Sequence, residues 1–167
     1  MVNPLLVWIA YFAPLIACVL ITLFFLRSKT ISSLLAIAGI LTSFVCTVLV
    51  AWQIFHAHPA VEFQQSLTWI RLDTLTIDFG FLVNPLAIMM LLVVTGVGSA
   101  IFIYSRGYMA EDPGSPRFFA FLSLFAFSMT GIVLANNFIQ LFISWELVGL
   151  SSYLLIGFWY HKPSAAD

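Results

Sequence analysis

Five apolar runs, Leu5–Leu26, Ser32–Phe55, Phe81–Tyr104, Phe118–Ala135 and Phe138–Trp159, contain no Lys or Arg and a single acidic residue, Glu146. A helix needs roughly 20 apolar residues to cross the hydrocarbon core of a bilayer. A soluble chain of this length would need far more polar surface, since 62% of its 167 residues are hydrophobic and 8% charged. The runs are continuous rather than alternating over short segments, which argues for helices and against a barrel. The expectation is an all-α integral membrane protein with about five transmembrane helices, forming one membrane domain over residues 1–167.

Charge sets the expected orientation. The first run lacks a basic segment before it and a small-residue cleavage site after it, so it reads as a retained helix rather than a signal peptide. With the N-terminus outside, Arg27, Lys29, Arg106, Arg117 and Lys162 fall on the cytoplasmic side and only Arg71 on the other. That asymmetry follows the positive-inside rule and places the terminal HKPSAAD in the cytoplasm. A net charge of -1 offers nothing to attract nucleic acid.

The long polar stretch, residues 56–80, lies between the second and third runs. Within SLTWIRLDTLTIDFGF (66–81), Leu75, Ile77, Phe79 and Phe81 alternate with Thr76, Asp78 and Gly80. This is the period of a strand, and it predicts a short external β-hairpin turning near Leu72–Thr74. Two strands are marginal alone, so the hairpin is expected to pack on the helices or on a partner. His56 and His58 open the stretch and read as solvent-facing residues at a helix end rather than a metal pair. On the other side, GYMAEDPGSPR (107–117) is a compact loop in which Glu111 and Asp112 belong to a solvated turn, with Pro116 at a helix start. Cys18 and Cys46 read as small buried hydrophobes, and no metal site or disulfide framework is expected.

Glu146 lies about eight residues into the fifth run, roughly 12 Å from its outer end and near the bilayer midplane. An ionised group there costs on the order of 3 kcal/mol, so it should not face lipid. On its face stand Phe142, Ile143, Gly149 and Leu150, then Tyr153 and Gly157. Small residues every fourth or eighth position permit a close helix approach, so Glu146 is expected to point into the bundle. Two roles stay open: a protonated carboxyl that only hydrogen-bonds a neighbouring helix, or an ion-pair acid in a proton relay. Burial raises a carboxyl pKa and a nearby cation lowers it, so a movable lysine would switch the group. Lys162 is about 24 Å along the helix and too far to serve.

The run NNFIQLFISWELVGLSSYLLIGFWYHKPSAAD (136–167) resembles the fifth-helix region of the antiporter-like subunit of proton-pumping NADH–quinone oxidoreductase (complex I), the subunit L or mitochondrial chain 5 family. YSRGYMAEDPGSPRFFAFLSLFAFSMTGIVLANN resembles the preceding loop and fourth helix, and DFGFLVNPLAIMMLLVVTGVGSAIFIYS the third helix. The likeness covers residues 78–167 in motif and the first two helices in character. It implies the N-terminal part of a larger fold of inverted repeats, in which the fifth-helix glutamate pairs with a lysine on a later, broken helix. By its WELVG context Glu146 resembles that glutamate, while the family's lysines have no counterpart in this sequence. Asn84 stands where many relatives are acidic, Phe102 where a histidine is common, and Arg106 where the family is neutral. The first two weaken a polar path through the third helix, and Arg106 reads as a surface charge.

The function implied is a membrane subunit taking part in respiratory proton translocation, with Glu146 (proton relay) in the path. Its expected location is a bacterial inner (plasma) membrane, as a multi-pass protein. Its expected partners are the lipid bilayer and other membrane subunits of the respiratory complex, with no nucleic acid and no small-molecule site evident. No cofactor is expected, because the sequence has neither the cysteines of an iron–sulfur site nor a Gly-rich nucleotide turn. An Mrp-type cation/proton antiporter subunit, or an ion-coupled partner of a carbon-uptake complex, would share the same helix motif. A non-conducting structural membrane fragment is the third reading. HKPSAAD stops in mid-motif, so the chain is expected to be a truncated or split form of the longer subunit.

Overall fold

The computed structural model describes residues 3–56, 62–72 and 75–160. In chain order these form α1 (Pro4–Leu20, continued by one π-helical turn, Ile21–Phe25), α2 (Lys29–Phe55), β1 (Phe63–Leu72), β2 (Leu75–Val83), α3 (Pro85–Tyr108), α4 (Ser115–Leu134) and α5 (Phe138–Ile156, ending in a 3-10 turn, Gly157–Trp159). All five helices, counted with those terminal turns, are long and apolar enough to cross a membrane. The expected multi-pass helical architecture with an inserted hairpin is what the described residues form. His58, the hairpin turn at residues 73–74 and the tail from His161 lie outside the described residues.

Short polar residues start most of the helices. Asn3, Asn84 and Asn137 accept the amides of Leu5, Ala87 and Gln140 at 3.0, 2.8 and 2.9 Å, and the Ser28 hydroxyl accepts that of Ile31 at 3.5 Å. Such caps satisfy donors that the first helical turn leaves over, each worth about 1 kcal/mol. They also correct one expected boundary. Phe81, Leu82 and Val83 belong to β2 rather than the third helix, because Asn84 caps and Pro85 begins α3. The fourth helix, which has no side-chain cap, begins at Ser115, ahead of the apolar run from Phe118, with Pro116 in its first turn as expected, where a missing N–H costs nothing.

The helices pack through small residues and a few directed polar contacts. A Cβ on Gly39 of α2 would lie 2.9 Å from the Ala17 Cβ and 3.1 Å from the Ala13 carbonyl oxygen, so α1 and α2 meet nearly backbone to backbone. α4 packs against each of the other four helices, whereas α5 leans chiefly on α4. Accordingly 56% of α4's span is buried within the chain, against 17% of α5's.

Two apolar cores occupy the two ends. At the hairpin end Val7, Tyr11, Ile54, Ile88 and Leu134 surround Phe81 and Val83 of β2, with the Trp8 ring edge-on to Phe81 at 5.0 Å. The hairpin therefore docks on the helices by its β2 side. At the other end Ile21, Ile40, Phe102, Met109 and Phe119 pack with Phe158. There Asp112 accepts the Gly114 amide at 2.7 Å through one oxygen and the Trp159 indole N–H at 2.8 Å through the other. The expected turn is present, and one of its carboxylates also anchors the end of α5. Lys29 from the start of α2 donates to the carbonyls of Ala110 and Glu111 at 3.4 and 3.2 Å.

Candidate functional site around Glu146

α5 has two unlike faces. Gln140, Ser144 and Ser151 are its buried residues, 5%, 4% and 0% exposed. Ser151 bonds back to the carbonyl of Leu147 at 2.8 Å, as serine often does within membrane helices. Ser144 shares a hydrogen bond with the Tyr11 hydroxyl of α1. Both hydroxyls close over Gly131 of α4, where a Cβ would lie 2.7 Å from Ser144 Oγ and 3.2 Å from Tyr11 Oη. Three helices thus meet at one polar point.

Glu146 is two residues beyond Ser144, about 200° further round the helix. It is exposed, together with Tyr153 at 72% and Ile156 at 83%. A Cβ on Gly149 or Gly157 would meet nothing within 4 Å. The expectation that Glu146 points into the bundle is therefore corrected: it points away from α1–α4, onto an open face. The small residues on its own stripe suited either side. What decides the rotation is the set of polar partners reserved for Gln140 and Ser144. Among the described residues every Lys and Arg stands at a helix end or in the hairpin: Arg27, Lys29, Arg106 and Arg117 at helix ends and Arg71 in the hairpin.

Sequence reading missed Gln140. Its side-chain amide accepts from the Gly80 N–H at 3.1 Å and donates to the Gly80 carbonyl at 2.8 Å, both bonds buried. Beside it Asn137 donates to the Asp78 carbonyl at 2.7 Å. A glutamine in the apolar run NNFIQLF was the available signal, but its partner lies 60 residues away. Between hairpin and helices lies a cavity of about 460 Å³, lined by Tyr11, Asp78, Phe127, Gln140, Ile143 and Ser144 among others. Its walls are mostly apolar, and it reaches Ile143, one turn before Glu146.

Asn84, Phe102 and Arg106 each have structural work. Asn84 caps α3, Phe102 is 2% exposed in the apolar core, and Arg106 sits in the last turn of α3, where a cation complements the helix dipole. His56 stacks on Trp52 at 3.9 Å and its Nδ1 lies 3.0 Å from the Trp52 carbonyl. Cys18 and Cys46 are free thiols, Cys46 buried and Cys18 half-buried.

Comparison with known proteins places this geometry. Residues 69–119 match the family described as NADH-ubiquinone oxidoreductase (complex I), chain 5 N-terminus, and residues 135–167 the one described as NADH:quinone oxidoreductase/Mrp antiporter, TM. NAD(P)H-quinone oxidoreductase subunit 5 of the Zygnema circumcarinatum chloroplast is 41% identical over 167 residues, covering 96% of this chain and 24% of that one. The chain belongs to the antiporter-like subunit L and chain 5 family. NADH-quinone oxidoreductase subunit L of Mycobacterium tuberculosis is 56% identical over 103 residues, covering 62% of this chain and 16% of that relative. Among solved structures, a chain of the Mrp complex from Dietzia sp. DQ12-45-1b superposes over 91% of this chain and 15% of its own, with TM-score 0.65 and 26% identity. These relatives are named as subunits of multisubunit assemblies, and this chain spans less than a quarter of the length of each.

Proposed function

We propose that this chain supplies five helices from the N-terminal part of a membrane subunit of a respiratory NADH–quinone oxidoreductase, and that Glu146 is part of its proton path. One observation carries the reading: in a chain of this family, the sole acidic residue within a spanning segment lies on a helix face open for a further helix to cover. An ionisable group at this depth is expensive unless a partner or a proton compensates it. A cation brought to that face would favour the carboxylate and its withdrawal the protonated form, which is how charge movement elsewhere would drive a proton on and off. Redox chemistry would belong to other subunits, with no cofactor held here. The charge asymmetry of the loops supports an N-terminus outside a bacterial plasma membrane. In the complete subunit, Glu146→Gln is expected to lower the proton-to-electron ratio severalfold while the complex still assembles. An unchanged ratio in the assembled mutant overturns the proposal.

The Mrp-type antiporter is a second reading, favoured by the fold shared with a chain of the Mrp complex. Membrane vesicles separate the two. Proton movement that needs NADH oxidation supports the first, and cation/proton exchange without electron flow supports the second.

A further inference from the structure

We propose that Gln140 is a positioning residue: its amide, clasped on the backbone of Gly80, sets the rotation of α5 and so aims Glu146 out of the five-helix bundle. The aim of Glu146 is a structural claim. Its consequence for proton transfer rests on the function proposed above.

α5 needs such a device. It is the least buried of the five spans, and lipid chains are as apolar as its side chains, so no hydrophobic drive selects which face turns inward. Directional polar contacts remain. In a strand, the N–H and C=O of one residue point to the same side. Both of Gly80's groups go to Gln140, so they point away from β1 along the free edge of β2. Gln140 acts there as a one-residue strand. It satisfies two backbone groups that would otherwise be buried without partners. A Cβ on Gly80 would strike the Gln65 carbonyl oxygen and lie 2.7 Å from Asn136 Nδ2, so only glycine fits between β1 and the α4–α5 turn.

The rest follows from helix geometry. Six residues of an α-helix turn through 600°, so Glu146 stands about 120° round from Gln140 and nearly opposite Ser144. With Gln140 on Gly80 and Ser144 on Tyr11, Glu146 has one direction available. The hairpin and Glu146 are thereby mechanically joined through the first turns of α5.

The test reads direction first. In the complete chain in its native membrane, with Cys18 and Cys46 replaced by Ala, spin labels go at Val45→Cys on α2 and Gly149→Cys, one turn beyond Glu146 on its open side. Pulsed EPR should give one narrow distance distribution. Gln140→Leu should broaden or shift it, and the unlabelled Gln140→Leu protein should lose proton translocation severalfold. Gln140→Glu supplies a reversible version. Protonated, its carboxyl can accept from the Gly80 N–H and donate to the Gly80 carbonyl; ionised, it cannot donate. Its distance distribution should be narrow at acid pH and broad at alkaline pH. Asp78 of β2 and Tyr11 of α1 are the titratable side chains lining the same cavity, and the distribution with Gln140 intact should stay constant over that range. If Gln140→Leu does not accumulate, Gln140→Glu decides alone, since the same molecules are read on both sides of the titration. Unchanged distances in the variants overturn the proposal; shifted distances with normal translocation overturn its consequence for proton transfer. If instead Glu146→Gln translocates normally, the function assigned to Glu146 fails while the distances still judge Gln140.

Discussion

Pro14 lies in the middle of α1, and a residue on another helix compensates for it. Proline has no N–H, so the carbonyl four residues back, that of Ala10, has no partner in its own helix. The Ser43 hydroxyl of α2 donates to that oxygen at 2.6 Å. Thr47, one turn on, bonds only the Ser43 carbonyl of its own helix, at 2.9 Å. The two hydroxyls, both buried, should therefore differ in value. Ser43→Ala leaves a buried carbonyl unpaired and is expected to cost about 1–3 kcal/mol, whereas Thr47→Ala removes a bond the helix can spare and costs less. Unfolding of the protein in mixed detergent micelles with rising SDS measures both. Equal losses would mean that Ser43 merely packs. The same reasoning explains why buried serines and threonines in this bundle do not amount to a polar channel: Thr95, Ser99 and Ser128 each bond to the carbonyl four residues back in their own helix.

At the scale of elements, the hairpin is held by its glycine. Gly80→Ala would force β2 off Gln140, at a cost typical of overpacking, about 1–3 kcal/mol or more. The expected result is faster hydrogen exchange across residues 63–83 with α2 and α3 still protected, read by mass spectrometry. Unchanged exchange in the hairpin would show that Phe81 and Val83 suffice to dock it. These elements also mark where sequence reading reached and where it stopped. The helices were legible because crossing a bilayer demands long apolar runs, and the hairpin because Leu75 to Phe81 alternate. The start of α3 was not. Phe81 and Val83 are buried against the bundle, so the end of the strand is as apolar as the helix behind it, and only Asn84–Pro85 marks the change. The facing of α5 was hidden for a related reason. Gly149 and Gly157 on one side and Ser144 and Ser151 on the other are both small enough for helix contact. The long-range partners of Gln140 and Ser144 break that tie.

Taken as a whole, the described chain is a bundle with its best-packed helix, α4, in the middle and Glu146 on the helix at the edge. A proton relay needs a group that changes protonation and a charge that makes it change. Glu146 can be the first. Among the described residues every Lys and Arg stands at a helix end or in the hairpin, so none supplies the second, and the face around Glu146 is open. An ionised side chain without a partner at the bilayer midplane costs on the order of 3 kcal/mol, so a relay there needs a cation to set against the carboxylate. These 167 residues, reconstituted alone into liposomes with a trapped pH-sensitive dye, are accordingly expected to pass no protons under an imposed diffusion potential. Glu146→Gln should leave that baseline where it is. In the complete subunit, where a further helix can cover the α5 face, the same substitution should matter. A flux from the 167-residue form that Glu146→Gln abolishes would mean that the carboxyl cycles without a cationic partner. The electrostatic switch would then be wrong even if Glu146 lies on the path.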